Sequence, residues 1–312
     1  MKNNNAARWA VIVLALAVVL ESAFLGIHFY REHAGTAGAT ADPAPAATSA
    51  SETDDMDFAY DLELSEQFPE ALENGEIQVW FQPIIDPATG EVCGTEALSR
   101  WIRGEEFISP SVFVMTLEAT GQVVDLDRHV FETVCQLQKK RLAGGERIFP
   151  ISVNLSPISA MQEDAAETYA AIFQEAGIPD GCVRVEVTES LEMDGETLAA
   201  VVEAFHGKGF PVEIDDFGAG YASYANLVGT DYDVLKIDKS LTDGIGSPDG
   251  ELVLDSLITL AHSLEMEVIA EGVETENQVA YLRENGCDAI QGYYYSKPLP
   301  PDDYAAFLDE RK

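Results

Sequence analysis

Acidic side chains stand just beyond short apolar runs at several places in this sequence. In Val185–Ser190, VEVTES, Glu186 and Glu189 are three apart, and in Ile214–Gly220, IDDFGAG, Asp215 and Asp216 are adjacent. Glu96 in EALSRW, Asn154 in VNLS, and Glu271 with Glu274 in AEGVE repeat the arrangement. A short apolar run reads as a buried strand, and the polar residue at its tip reads as site chemistry. Carboxylates gathered at the same ends of several strands repel one another, and divalent cations are the usual reason a fold tolerates this. Carboxylates with an amide oxygen are hard ligands, suited to Mg²⁺ or Mn²⁺ rather than Zn²⁺. No histidine occupies any of these tips. Asp215 can bridge two ions while Asp216 holds one. Two ions ~3.5–4 Å apart clamp an in-line displacement at phosphorus and generate hydroxide between them. Lysine beside such a centre, here Lys236, can hold the attacking water or the developing charge. The set favours phosphodiester hydrolysis over acyl or hydride transfer. Taken singly, Asp215-Asp216 also suits a helix cap or a solvated loop, and Lys236 a surface cation; their shared placement at strand ends argues for a site.

The elements that must position these residues follow from apolar periodicity. A helical segment lies around Leu62–Leu72. Ile77, Val79 and Phe81 alternate with Gln78, Trp80 and Gln82 as in a strand, and Glu91–Trp101 reads as a second strand. Ser109-Pro110 marks a helix start, with serine as N-cap and proline at the first helical position, and Phe113, Val114 and Leu117 form its apolar face. Further strands are expected at 149–155, 183–187, 212–214, 234–237, 267–270 and 289–290. Helices over 164–176, 196–208, 250–263 and 275–285 separate them. Repeated β-then-α units imply a parallel sheet. Roughly eight strands in about 250 residues suit a (β/α)₈ barrel of the TIM type, an α/β fold. A doubly wound open sheet is the alternative, but no GxGxxG turn follows a strand. In a barrel the site lies at the C-terminal strand ends, which here carry Glu96, Asn154, Glu186, Asp215 with Asp216, Lys236, Glu271 and Gln291.

The chain has 312 residues and a formal net charge of -37, with 55 acidic residues against 18 basic ones. That balance argues against a nucleic-acid polymer as partner, which needs a basic footprint. The four cysteines are widely spaced with no CxxC pair, as expected of reduced core thiols. Trp9–Tyr30 is mostly apolar and about as long as the ~20 residues that span a bilayer. A membrane anchor over residues 1–33 is the expectation, with a cleaved signal peptide or a buried helix as alternatives. Residues 34–56 are rich in Ala, Thr, Gly, Pro, Ser and Asp, without apolar period, and read as a flexible linker. The catalytic domain is then 57–312.

The segments Phe81-Gln82-Pro83-Ile84, EALSRW from Glu96, Asn154-Leu155-Ser156, Glu186-Val187-Thr188-Glu189, DDFGAGY from Asp215, Lys236-Ile237-Asp238, AEGVE from Ala270 and Gln291-Gly292-Tyr293 resemble the EAL domain. The resemblance runs from about Leu72 to Phe307, with the motifs in the family's order. It implies a TIM-type barrel with a modified first strand, and an enzyme that hydrolyses cyclic di-GMP to linear pGpG. Carried over by position, it implies one Mg²⁺ or Mn²⁺ held by Glu96, Asn154, Glu186 and Asp215, and a second held by Asp215, Asp216 and Glu271. Lys236 would contact the catalytic water, with Glu274 and Gln291 supporting the water and metal shell. Gln82 and Arg100 would face the substrate, and Glu189 would brace the DFGAGY loop, which in the family couples dimer contacts to metal binding. The loop departs from the family's usual form at Ala222 and Tyr224.

Two functional classes follow from the resemblance: an active phosphodiesterase, or a non-catalytic membrane-tethered receptor for cyclic di-GMP. Every expected ligand is present, which favours the enzyme. A homodimer is expected, as is a single-pass anchor in the inner membrane with the domain in the cytoplasm, where such a messenger resides. The flanking charge, Lys2 and Arg8 before the span and Arg31 after it, argues weakly for the opposite orientation.

Overall fold

The computed structural model describes residues 52–188, 193–218, 227 and 229–311. The chain divides into two units, residues 1–60 and 61–312. Described residues of the first belong to the start of helix α1, Glu52–Glu73. The span expected at Trp9–Tyr30 and residues 34–51 of the linker expected at 34–56 lie outside the described residues, whereas residues 52–56 are the first turns of α1 rather than linker. Among the described residues no helix is long and apolar enough to cross a membrane.

The second unit is built on β1 (Ile77–Ile85), β2 (Val92–Arg103), β3 (Glu106–Ile108), β4 (Ile151–Leu155), β5 (Val183–Thr188), β6 (Val212–Phe217), β7 (Val234–Ile237), β8 (Glu267–Ala270) and β9 (Ala289–Ile290). The sheet order is β1-β9-β8-β7-β6-β5-β4-β2-β3, and the further pairing of β1 with β2 closes a barrel of eight strands. The short β3 hangs outside the ring as a hairpin on β2. β2 and β4 to β9 run parallel, while β1 is antiparallel to both β2 and β9. The turn between β1 and β2 explains that reversal. Asp86 accepts hydrogen bonds from the Ala88 N–H (2.7 Å) and the Thr89 hydroxyl (2.9 Å), and Gly90 closes the loop at φ 73°. So short a connection permits only an antiparallel neighbour; parallel strands need a crossover.

Those crossovers are helices: α2 (Pro110–Thr120), α3 (Val123–Ala143), α4 (Pro157–Ala160), α5 (Ala165–Ala176), α6 (Gly195–His206), α7 (Lys239–Thr242), α8 (Pro248–Ser263) and α9 (Glu276–Glu284), with α10 (Pro301–Asp309) closing the chain. α2 begins at Ser109-Pro110 as expected, although the Ser109 hydroxyl makes no cap bond; Phe113 and Leu117 are buried with Thr116, and Val114 packs partly buried against the core.

Strand alternation divides the interior into two cores. Val183, Val185 and Val187 of β5, Val212 and Ile214 of β6, and Leu235 and Ile237 of β7 belong to the main core with the helices. Ile84, Val234, Ile269 and Ala289 form a separate cluster inside the barrel, with Cys93 packed against it. The residues that alternate with the outward valines and isoleucines therefore fill the lumen, and many are charged.

Candidate functional site

Lys236 organises the C-terminal end of the lumen. Its ammonium is buried, 1% exposed, and lies 2.5 Å from Glu186 Oε1, 2.7 Å from Glu271 Oε1, 3.2 Å from Asp215 Oδ1 and 3.7 Å from Glu96 Oε2. Each carboxylate comes from a different strand or the loop after it, so the site exists only when the barrel closes. Asn154 Nδ2 donates to Glu96 Oε1 at 3.0 Å. Gln291 Nε2 donates to Glu96 Oε2 (2.5 Å) and Gln82 Oε1 (3.1 Å), while Gln82 Nε2 donates to the Ser296 carbonyl (3.1 Å). Gln82, expected to face the substrate, thus sits in a chain of amides that orients Glu96.

Adjacent strand residues normally point to opposite faces. Asp215 and Asp216 escape that rule through a bulge. Along β6 and β7, Ile214 pairs with Leu235 and Phe217 with Ile237, so three steps on one strand face two on the other. Asp216 takes up the extra residue in the left-handed region, φ 53°. An L residue there costs about 1–2 kcal/mol, least for Asp, Asn and Gly. The bulge brings ligand oxygens of Asp215, Asp216 and Glu271 within 4.8 Å of one another, a group able to hold a metal ion.

The Gln291 loop needs glycine beside it. The Val273 N–H donates to the Gln291 carbonyl (3.1 Å) and the Tyr294 N–H to the Val273 carbonyl (3.0 Å). A Cβ on Gly292 would lie 2.1 Å from the Val273 oxygen, so only glycine lets the two loops approach.

Burial and mutual repulsion resist ionising the clustered carboxylates together. Burial raises the Glu186 carboxyl well above its ordinary range, Asp215 adds to this, and Lys236 only partly opposes it. Burial lifts Glu271 to about 8 against the pull of Lys236. Burial, then Asp215 and Asp238, lifts Asp216 to about 6. Burial also works against the charge on Asp215, but Lys236 and its hydrogen bonds hold it below the usual value. For Lys236 itself, burial disfavours the charge, yet Glu186, Glu271, Glu96 and Asp215 together push its pKa well up. In the ionised form that binds metal, Glu96, Glu186, Asp215, Asp216 and Glu271 against Lys236 would leave five minus one, a net charge of -4, which divalent cations would offset. Glu186 Oε2 and Gln291 Oε1 are buried with no hydrogen-bond donor among the described residues. Hard oxygen donors, excess negative charge and an unsatisfied carboxylate oxygen fit divalent metal.

The structure therefore brings together Gln82, Glu96, Asn154, Glu186, Asp215, Asp216, Lys236, Glu271 and Gln291. Arg100 lies at the edge of this set: half-buried, it donates to the Ser99 carbonyl (2.8 Å), and its guanidinium is 5.9 Å from the Trp80 ring centroid. Burial lowers its pKa, while Glu96 supports its charge. Glu274 stands apart: it is exposed, and its Oε1 is 3.2 Å from Lys239 Nζ rather than among the clustered carboxylates. Glu189 and residues 219–226 of the DFGAGY loop lie outside the described residues. Arg184 and Glu213, absent from the expected site, fill the lumen next to it. Their signal in the sequence is the alternation of Arg184 with Val183 and Val185, and of Glu213 with Val212 and Ile214, which leaves charged residues on the inward face of a closed barrel.

Residues 65–298 match the EAL domain. The chain is 34% identical over 254 residues to the uncharacterized protein sll1895 of Synechocystis, covering 80% of this chain and 36% of that protein. It is 34% identical over 252 residues to the cyclic di-GMP phosphodiesterase NbdA of Pseudomonas aeruginosa, covering 80% of this chain and 32% of that protein. The chain thus spans about a third of the length of these relatives. The structure superposes on that of the PaMucR phosphodiesterase in complex with c-di-GMP with a TM-score of 0.72 at 28% identity, covering 78% of this chain and 99% of that one.

Proposed function

Because the chain belongs to the EAL domain family, we propose that it is a phosphodiesterase that hydrolyses cyclic di-GMP to linear pGpG with two Mg²⁺ or Mn²⁺ ions. The observation that carries this reading is the Asp215-Asp216 bulge, which sets Asp216 within ligand reach of Asp215 and Glu271, two of the four carboxylates that surround Lys236. Glu96, Asn154, Glu186 and Asp215 would hold one ion, and Asp215, Asp216 and Glu271 the other. When bound, such ions acidify a water and neutralise charge on the phosphoryl oxygens.

The chain's own residues do the remainder. Lys236, freed from part of its carboxylate shell, holds the nucleophilic water and stabilises charge at the phosphorus. Gln291 and Gln82 fix the orientation of Glu96. Arg100, beside the site, suits a phosphate oxygen in a planar, bidentate contact. The water oxygen bonds to phosphorus as one P–O3′ bond breaks; the proton that the attacking water gives up balances the one that the 3′ oxygen takes. One cut opens the ring and leaves a 5′-phosphate, hence a linear dinucleotide. Trp9–Tyr30 would anchor the chain in the inner membrane with this domain in the cytoplasm. A two-fold homodimer would let Glu189 brace the loop after β6, and Glu274 would support the metal shell only by turning away from Lys239.

The full chain is to be incubated with cyclic di-GMP and Mg²⁺ or Mn²⁺, and the nucleotides resolved by chromatography. pGpG should form, and EDTA should abolish it. Binding without turnover would replace this reading with that of a cyclic di-GMP receptor.

A further inference from the structure

A second buried ion pair lies in the lumen next to the candidate metal site. Arg184 is two residues before Glu186 on the same face of β5, and Glu213 is two before Asp215 on β6. Glu213 is also the cross-strand partner of Glu186. Arg184 Nη1 donates to Glu213 Oε1 at 3.1 Å, and Nη2 to Glu267 Oε2 at 2.9 Å. The Glu213 side chain has no solvent exposure, whereas Glu267 is 59% exposed at the open end. Charges therefore alternate along the lumen: Glu267, Arg184, Glu213, Lys236, then the clustered carboxylates. Besides Arg184, the cation that acts on Glu213 is Lys236.

We propose that Arg184 is a positioning residue for the metal site. A buried carboxylate demands a cation, and the cost of leaving it without one is high. By satisfying Glu213, Arg184 keeps that carboxylate from competing for Lys236. The ammonium then stays among Glu96, Glu186, Asp215 and Glu271, where catalysis needs it. The catalytic part of this inference rests on the phosphodiesterase reading; the metal-binding part does not.

The test is Arg184→Met in the full chain. Glu213 then becomes an unmatched anion close to the site and draws Lys236 toward itself. The clustered carboxylates lose their internal cation and gain a nearby negative charge. Mn²⁺ should therefore bind several-fold more tightly by calorimetry in the absence of nucleotide, while kcat falls at least ten-fold with KM little changed. Damage to the fold alone would weaken Mn²⁺ binding instead. The double variant Arg184→Met, Glu213→Leu should return both values to near those of the parent. Mn²⁺ affinity that stays within two-fold or falls, or a folded double variant that restores neither value, overturns the proposal. Should Arg184→Met not fold, Glu213→Gln decides. It leaves Arg184 in excess, so Mn²⁺ binding should weaken several-fold, and unchanged affinity refutes the idea. If the parent chain shows no turnover at all, the phosphodiesterase reading fails while the Mn²⁺ affinities still decide this one.

Discussion

Replacing Lys236 with methionine removes, at nearly constant volume, the only cation within 4 Å of the Glu96, Glu186, Asp215 and Glu271 carboxylates among the described residues. Four carboxylates, 2.5–3.7 Å away, lose their common partner in a site with 1% exposure. Removing one member of a buried ion pair typically costs about 3–5 kcal/mol, because the partner charge is stranded. For a domain of this size each kcal/mol moves Tm by roughly 2–4 °C, so the metal-free variant should melt about 6–20 °C lower near neutral pH. Divalent cations can take over the ammonium's role in neutralising the carboxylates. Saturating Mg²⁺ should therefore recover at least half of the lost Tm, although kcat stays down by orders of magnitude. Differential scanning calorimetry of both proteins, in EDTA and in excess Mg²⁺, measures the difference directly. A Lys236→Met penalty that is equal with and without metal, or absent in EDTA, would refute the picture of Lys236 as a cation standing among metal ligands.

Three further outcomes follow from the structure. Asp216→Gly relieves the left-handed strain at φ 53° and removes a repelling carboxylate, so metal-free Tm should hold or rise by about 2 °C while metal affinity by calorimetry falls. Gly292→Ala forces a Cβ to within 2.1 Å of the Val273 carbonyl; overpacking of this kind costs about 1–3 kcal/mol, and both Tm and kcat should drop. Asp127, buried on α3, accepts from the Ser156 N–H at 2.9 Å, and burial raises its pKa to about 6. Between roughly pH 4 and 6 the native state holds a proton that the unfolded chain has released, so this group's contribution to stability falls as pH rises through that window. Asp127→Asn keeps the acceptor and removes the charge. Its Tm should exceed the parent's above pH 6, by a margin on the order of 2–3 kcal/mol of stability, and should converge with it near pH 4. A constant offset across pH would contradict this.

Much of the barrel was legible because parallel strands buried on their outward face read as short apolar runs between amphipathic helices. The runs at 234–237, 267–270 and 289–290 coincide with β7, β8 and β9. Asn154, Glu186, Asp215 and Lys236 could be placed because each lies on the inward phase of its strand near its end; Glu96 keeps that phase well inside β2, and Gln291 directly follows β9. The long helix α3 has no clear apolar period in the sequence, since its buried face includes Asp127, Gln138 and Arg141. The bulge at Asp216 has no local signature; it depends on register with β7, a long-range property. Glu274 looks equivalent to Glu271 in AEGVE, yet the turn at Gly272, φ 66°, directs the chain so that Glu274 meets Lys239. Arg184 and Glu213 were passed over because charged residues inside a strand read as solvent-facing until the barrel is known to close around them.

As a phosphodiesterase, this site would add water to one phosphodiester of cyclic di-GMP. The most direct measurement of that step is turnover in H₂¹⁸O by the full chain, saturated with Mg²⁺ or Mn²⁺, with products weighed by mass spectrometry. pGpG should carry one ¹⁸O in its terminal 5′-phosphate, and no labelled product should form when metal is chelated. Folded, metal-saturated protein that binds cyclic di-GMP yet yields no labelled pGpG over hours would contradict the phosphodiesterase reading.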